Sequence, residues 1–387
     1  MTGTGPDFPG VGDGVGDGVG VEVGVEVGDE VGIGAYVHVP FCRHRCDYCA
    51  FATYTDRDRL IPRYVEACVN EAHRAVEDGE LPAATSVFFG GGTPSRLPAD
   101  EMCRILEAIP RARGAEVTVE CNPEDAAADR FAAYADAGVT RMSFGVQSTV
   151  GHVLAGLGRR HPPEAVGRAV ELAARAGFAT FNVDLIFGAA TESDDDWART
   201  LADVLALRPR PPHVSAYALT VEPGTPLAAD RCRHPDGDIQ AGRYEMADAV
   251  LSEAGYRWEE ISNWALPGHG CRHNRLYWDQ GDYRGIGPAA HSHRQGRRWW
   301  NVRTPDRYVA AMERGRSPVA GEERLDGERR VMERLMLSLR TPRGVPDAAL
   351  PDVEDLAGLV DRVGGRAVLT VRGRLLANAV TAYLVGP

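Results

Sequence analysis

Three cysteines fall within one short segment, Cys42-Arg43-His44-Arg45-Cys46-Asp47-Tyr48-Cys49, directly after the apolar run Tyr36-Val37-His38-Val39-Pro40-Phe41. Three thiolates spaced C-x3-C-x2-C can grip three corners of a [4Fe-4S] cube and leave the last iron open to a substrate or cofactor. Cysteine-rich loops also hold zinc, which wants four nitrogen or sulfur ligands in a tetrahedron. The fourth would then come from a nearby histidine or a distant residue. Spacing alone leaves both readings open.

At 387 residues, with 44% hydrophobic and 25% charged, the chain has room for one large α/β domain and a smaller unit. No run reaches the ~18 apolar residues that span a bilayer, and Met1-Thr2-Gly3-Thr4-Gly5 does not read as a signal peptide, so a cytoplasmic protein is expected. The net charge of −12 argues against nucleic-acid binding. Eight cysteines in this length do not read as a secreted disulfide framework. Every basic residue is arginine. A phosphate-binding loop with its Walker lysine and a pyridoxal-phosphate Schiff base are therefore both excluded.

Residues 1–34 repeat Gly, Val and acidic residues without an aromatic anchor and are expected to form a disordered tail. From Ala35 onward, β-rich runs alternate with amphipathic stretches. Strands are expected at Ala35–Val39, Ser86–Phe89, Glu116–Cys121, Arg141–Phe144, Thr180–Ile186 and Val214–Leu219. Ile61, Val65, Cys68, Val69, Ala72 and Val76 share the apolar face of the first helix, and Cys103 sits beside Met102, Ile105 and Leu106, so these two cysteines read as core. Cys121 and Cys232 have no assigned role. Six βα repeats in series imply a parallel sheet with right-handed crossovers, too short for a closed eightfold barrel. The expected fold is thus α/β, a partial, TIM-like (β/α)6 barrel at 35–220. An extension at 221–304 and a mostly helical, winged-helix-like region at 305–387 would follow it.

In such a barrel, chemistry gathers at the carboxyl ends of the strands. Cys42 to Cys49 follow the first strand, Gly90-Gly91-Gly92-Thr93 the second, Glu120 ends the third, Gln147 follows the fourth, and Asp184 lies in the fifth. A backbone without Cβ atoms lets a ligand's polar head approach N–H and C=O groups. Glu120 and Asp184 lie in otherwise apolar strands, where a structural salt bridge to arginine is the plain alternative.

These stretches, with Glu120-Cys121-Asn122-Pro123, Phe144-Gly145-Val146-Gln147-Ser148, Leu157-Gly158-Arg159 and Asn182-Val183-Asp184-Leu185, resemble the radical S-adenosylmethionine (SAM) superfamily. Within it, the chain is similar to the group of oxygen-independent coproporphyrinogen III oxidases and HemW-type heme chaperones. The resemblance implies that Cys42, Cys46 and Cys49 ligate a [4Fe-4S] cluster, and that Tyr36, Gly91, Gly92, Thr93 and Glu120 hold SAM beside it. In oxidase relatives a second SAM sits nearby, and Tyr48, Gln147, Arg159 and Asp184 match the residues that touch it.

Two features separate the branches. The oxidases carry a further cysteine two places after the last cluster ligand, where this chain has Phe51. The segment Cys271-Arg272-His273-Asn274-Arg275-Leu276-Tyr277-Trp278 matches the H-N-x-x-Y-W stretch of the chaperone branch. His273 is therefore the foremost expected heme contact, with Cys271, His291 and His293 as lesser candidates. The resemblance implies a protein that binds heme and passes it to acceptor hemoproteins. A reduced flavodoxin or ferredoxin-type protein is the candidate electron donor. The basic segment Arg294–Arg303 reads first as solvated surface, with peripheral membrane contact as its alternative. The alternatives are a coproporphyrinogen oxidase and a zinc-binding structural protein. One departure stands out: Gly188-Ala189-Ala190-Thr191-Glu192-Ser193 lacks the proline and glutamine that the family has after the fifth strand.

Overall fold

The computed structural model describes residues 32–385, so the repeat expected as a tail lies almost wholly outside the described residues. Parallel strands β1 (Gly34–Val39), β2 (Ala84–Gly91), β3 (Arg111–Cys121), β4 (Arg141–Gln147), β5 (Thr180–Phe187) and β6 (His213–Ala218) lie side by side in chain order. Helices separate them, as the alternating pattern predicts. Beyond β6 come β7 (Arg257–Glu260) and β8 (Asn263–Ala265), with β8 antiparallel to β6. On the other side, β9 (Tyr283–Ile286) joins β1 in parallel, and antiparallel β10 (His291–Arg294), β11 (Arg297–Asn301) and β12 (Val319–Arg324) follow. The result is a twelve-stranded sheet with β12 and β7 at its two edges. It holds one more parallel strand than the six expected, because β9 is too short and glycine-containing to announce itself.

Side chains alternate between the two faces of each strand. The outward set, including Val37, Val39, Val87, Phe89, Val117, Val119, Phe144, Val183 and Val214, is buried in one core. Against it pack the apolar stripes of the helices, among them Tyr64, Val65 and Cys68 from Ile61–Glu77 and Ile105 and Leu106 from Ala99–Glu107. Cys103 is partly buried against the same core. The inward set is different: Tyr36, His38, Thr118, Glu120, Ser143, Asn182, Asp184 and Ser215 are polar. Ordinary barrels fill this space with branched apolar side chains. Here the interior is a polar chamber.

A short helix, Arg272–Trp278, stoppers the amino end of that chamber. Its His273 backbone N–H donates to Glu116 Oε1 at 3.2 Å, and the His273 ring bonds Ser86 Oγ at 2.9 Å. Just before the helix, the His269 carbonyl accepts from Arg141 at 2.9 Å, and the His269 ring bonds Thr180 Oγ1 at 3.0 Å. A smaller three-stranded antiparallel sheet (Val345–Pro346, Val360–Val363 and Arg366–Leu369) builds a second core around Leu339, Leu356, Leu369 and Val380. Two short helices, Val371–Leu375 and Ala377–Thr381, follow that sheet in the region expected to be mostly helical and winged-helix-like.

One buried carboxylate ties the extension to the barrel. Glu71 accepts from Arg284 at 3.1 Å, the Gly287 N–H at 2.9 Å, Asn301 Nδ2 at 2.8 Å and the Tyr308 hydroxyl at 2.7 Å. Removing one partner of a buried pair leaves the other charge uncompensated. Glu71→Ala is expected to cost about 3–5 kcal/mol, measured as a lower urea midpoint with the far-UV spectrum of the folded state retained.

Candidate functional site at the carboxyl mouth

The cysteine loop leaves β1 at the chamber's open, carboxyl mouth. Cys49 N–H bonds the Cys46 carbonyl at 3.2 Å, which tightens the loop. Two outside groups aim at its sulfurs: Thr93 Oγ1 donates to Cys42 Sγ at 3.5 Å, and Arg159 Nη1 to Cys46 Sγ at 3.5 Å. Arg159 is itself fixed by Asn122 Oδ1 at 2.9 Å and the Gly145 carbonyl at 2.7 Å. Asn122 reaches back to Thr93 Oγ1 at 3.3 Å. The structure therefore links Cys42, Cys46, Thr93 and Arg159 in one polar chain. Asn122 is the connecting residue that sequence reasoning missed; its signal was its place two residues after Glu120.

The glycine run packs against the same loop. Gly91 has φ of +105°, which side-chain-bearing residues rarely adopt, and a Cβ on Gly92 would lie 3.0 Å from Cys42 Sγ. A Cβ on Gly90 would lie 3.1 Å from Glu120 Oε1. Burial, then the Asp184 charge, push Glu120 up to about 8. Burial also raises Asp184, against hydrogen bonds from Ser143 at 2.9 Å and Asn182 at 2.8 Å. Among the described residues neither carboxylate lies within salt-bridge distance of an arginine; Glu120 feels the Asp184 charge, and Asp184 feels that of Arg141 from further off. Tyr36, raised by burial and by Glu120, hydrogen-bonds His38 at 3.2 Å.

Gln147 takes φ of +66° at a register shift closing β4, a bulge that re-aims its side chain toward Gly145, whose Cβ would meet Gln147 Nε2 at 3.0 Å. Tyr48 packs with Leu157, Ile186, Ala189 and Leu219, its hydroxyl raised by burial and then by Cys46. The altered loop after β5 has its own solution. Glu192 accepts the Gly188 N–H at 2.7 Å and pairs with buried Arg243 at 2.9 Å, and Ser193 caps the next helix with Asp196.

The residues present fit an iron–sulfur cube. Burial, with the neighbouring Cys49 and Cys46 charges, pushes Cys42 up to about 11, and burial also raises Cys49. Thiols so placed become thiolates only beside concentrated positive charge, which iron supplies. The buried Arg159 Nε has no partner, so the site keeps a donor to spare.

His273 is not brought to this mouth. Its ring is 1% exposed, both nitrogens are engaged by Ser86 and by the Tyr277 hydroxyl at 2.9 Å, and burial drops it to about 3. As packed, neither nitrogen is available to an iron. Cys271 is buried against Glu116 at 3.6 Å, and His293 is held by the Gly281 carbonyl at 2.9 Å and the Gly296 N–H at 3.1 Å. His291 is exposed at the start of β10. In the basic run Arg294–Arg303, Arg297 pairs with Glu80 and Glu322, and Arg298 with Glu323 and Glu333, whereas Arg294 and Arg303 reach only the carbonyls of Gly79 and Ala50. No helix among the described residues is long and apolar enough to cross a membrane.

An open parallel barrel with a three-cysteine loop at its carboxyl mouth defines a radical SAM protein, and the Radical SAM superfamily profile matches residues 36–204. The heme chaperone HemW of Mycobacterium tuberculosis is 43% identical over 91% of this chain and 95% of its own. The HemW proteins of Synechocystis (35%, over 82% and 80%) and Bacillus subtilis (30%, over 91% and 99%) agree. The chain belongs to the HemW family. Among solved structures, coproporphyrinogen III oxidase (HemN) from Escherichia coli, a radical SAM enzyme, superposes with a TM-score of 0.78 at 21% identity, over 91% of this chain and 89% of that one. This likeness carries the fold alone.

Glu120 makes stability pH-dependent in a definite direction. Its folded value near 8 lies above the ordinary 4.5, so the folded state holds the extra proton between them and stability falls as pH rises through that window. For protein prepared without SAM, denaturation from pH 5 to 8 is expected to show a decline of up to about 1.4 kcal/mol per pH unit. Glu120→Gln should flatten it and be the more stable form at pH 8.

Proposed function

We propose that this chain is a cytoplasmic heme chaperone that binds heme and passes it to acceptor hemoproteins. The reading rests on relatives named heme chaperone that align over nine-tenths of the chain. Phe51 supports it, standing where the oxidase branch has a further cysteine, and it is 64% exposed beside the cluster loop. Cys42, Cys46 and Cys49 hold the [4Fe-4S] cluster, and Tyr36, Gly91, Gly92, Thr93 and Glu120 hold SAM. Tyr48, Gln147, Arg159 and Asp184 line the space beyond. When bound, the cluster supplies one-electron reduction at an open iron. The chain's own part is positional. Thr93 and Arg159 steady two sulfurs, while bare glycine backbone leaves room for a ligand's amino and carboxylate groups.

Anaerobic reconstitution should yield about four irons and four sulfides per chain, lost in the Cys42→Ala/Cys46→Ala/Cys49→Ala triple variant and retained in Cys68→Ala. A zinc-loaded, colourless product would overturn the cluster assignment. Hemin added to the full chain should give a stable Soret band that passes to an apo-hemoprotein. Conversion of coproporphyrinogen III to protoporphyrinogen IX under reducing, anaerobic conditions would overturn the chaperone reading in favour of an oxidase.

A further inference from the structure

The chain carries a net charge of −12, yet its cysteine loop borders a strongly basic cleft. Arg43, His44 and Arg45 of the loop line it together with Arg159 and Arg160, around about 410 Å³ of open space. The only carboxylate among the lining residues, Asp47, is paired with Arg233 at 2.8 Å. Arg160 is exposed and has neither a hydrogen bond nor an ion pair among the described residues. Arg45 bonds the Cys49 carbonyl at 3.1 Å and has no carboxylate partner among them. Arg43 shares Asp125 at 3.2 Å while its side chain stays 57% exposed. Charge of one sign gathered in a cleft focuses the field there and speeds the approach of an oppositely charged partner.

The walls of this cleft are fixed to each other. The Asp47 N–H donates to the Leu157 carbonyl at 3.3 Å, and Arg233 donates to the Gly156 carbonyl at 2.7 Å. Gly158 has φ of +72°, and a Cβ there would stand 2.7 Å from Asp47 Oδ1. The turn that carries Arg159 and Arg160 is therefore pressed directly onto the cysteine loop. Arg45 and Asp47 flank Cys46, and Arg159 Nη1 donates to its Sγ at 3.5 Å. Cys46 and Cys49 are partly exposed, whereas Cys42 is buried against Gly92 and Thr93. The residues read as holding SAM thus meet the loop at Cys42, and the basic cleft meets it at Cys46, nearer solvent.

A cluster in this loop needs its electron from outside the chain. Cys68, Cys103, Cys121, Cys232 and Cys271 are isolated in the sequence and lie on separate elements, so they offer no second closely spaced group to relay one. We propose that the cleft is the docking surface for an acidic one-electron carrier protein, whose carboxylates meet Arg43, Arg45 and Arg160 while its redox centre lies against Cys46. The inference rests on the cluster assignment and names the partner of that same site. In the transfer the carrier's reduced centre loses one electron and the ligated iron gains it, with no bond made or broken at the loop. The charge distribution favours a protein over a small anion. Arg43, His44, Arg45 and Arg160 are exposed, and the least accessible guanidinium, Arg159, has both terminal nitrogens spent on Cys46, Asn122 and Gly145. Exposed arginines around a cleft suit the steering and orientation of another protein's carboxylates.

The test mixes the reconstituted full chain with a reduced flavodoxin and, separately, a reduced [2Fe-2S] ferredoxin, both acidic carriers, and follows cluster reduction by stopped flow and EPR. At least one carrier should reduce the wild type at a rate that falls as salt rises. Arg43→Glu with Arg160→Glu should slow that carrier about tenfold or more at low salt, and Arg43→Gln with Arg160→Gln should slow it less. Calorimetry with both partners oxidised should rank the binding affinities in the same order. Iron and sulfide content, and reduction by photoexcited deazaflavin, should stay as in the wild type. Arg199→Glu with Arg329→Glu makes the same change in net charge on helices that do not line the cleft, and should behave as the wild type. If the cleft variant is reduced as fast as the wild type, or if the Arg199/Arg329 control slows as much, the docking surface is overturned while the cluster assignment stands. It is overturned equally if inorganic phosphate binds the cleft and neither carrier binds or reduces the wild type. If the wild type takes up no iron and sulfide, the cluster assignment falls and the surface falls with it.

Discussion

A barrel whose inward side chains are polar cannot be held together from within. In this chain the packing energy lies outside the sheet, where the apolar strand faces meet the helices, and the inside keeps Glu120, Asp184, Ser143, Asn182 and Ser215. Burying such groups is tolerable only where each finds a partner or a ligand. Asp184 is largely satisfied by Ser143 and Asn182, whereas Glu120 sits against Gly90 and Gly91 with its proton retained. The chamber is thus stable around its lower layers and left polar and unspent at the mouth. Function follows from that imbalance.

The same constraint accounts for the additions to the six-stranded plan. An open sheet with a wet interior has two vulnerable places, its amino end and its edges. The helix Arg272–Trp278 answers the first, giving hydrogen bonds to Ser86 and Glu116, which would otherwise be buried alone. The strands β9 to β12 extend one edge, and Glu71 locks them to the first barrel helix through four donors. A stretch that reads as a heme-binding motif therefore works here as part of the barrel's closure.

The six barrel strands were legible in the sequence because both signals agreed there: apolar runs of strand length and glycine or polar punctuation after each. Even the mouth was readable, since loops at the carboxyl ends of parallel strands collect chemistry whatever the protein. The later strands were not legible. His291–Arg294 and Arg297–Asn301 carry charged and aromatic side chains that take a strand conformation only because β9 and each other offer ladder partners. Glu192 shows the same limit from another side. The loss of the usual glutamine was visible, but its compensation, Arg243, lies 51 residues away on another helix.

Histidine chemistry marks where local reading fails most sharply. His273 and His291 both stand among aromatics, and nothing in either neighbourhood of sequence tells which is free. What decides is where among the strands each one lies. His273 enters the amino end, where the polar starts of β2 and β3 take up its nitrogen and its N–H, and burial drives the ring to about 3. His291 stands at the start of an antiparallel strand, two residues before the His293–Tyr283 pair, which sets it level with Gly285 of β9 and so with Tyr36 in the middle of β1. Strand pairing, which no single segment encodes, thus separates an imidazole packed into the barrel's amino end from one left at the surface.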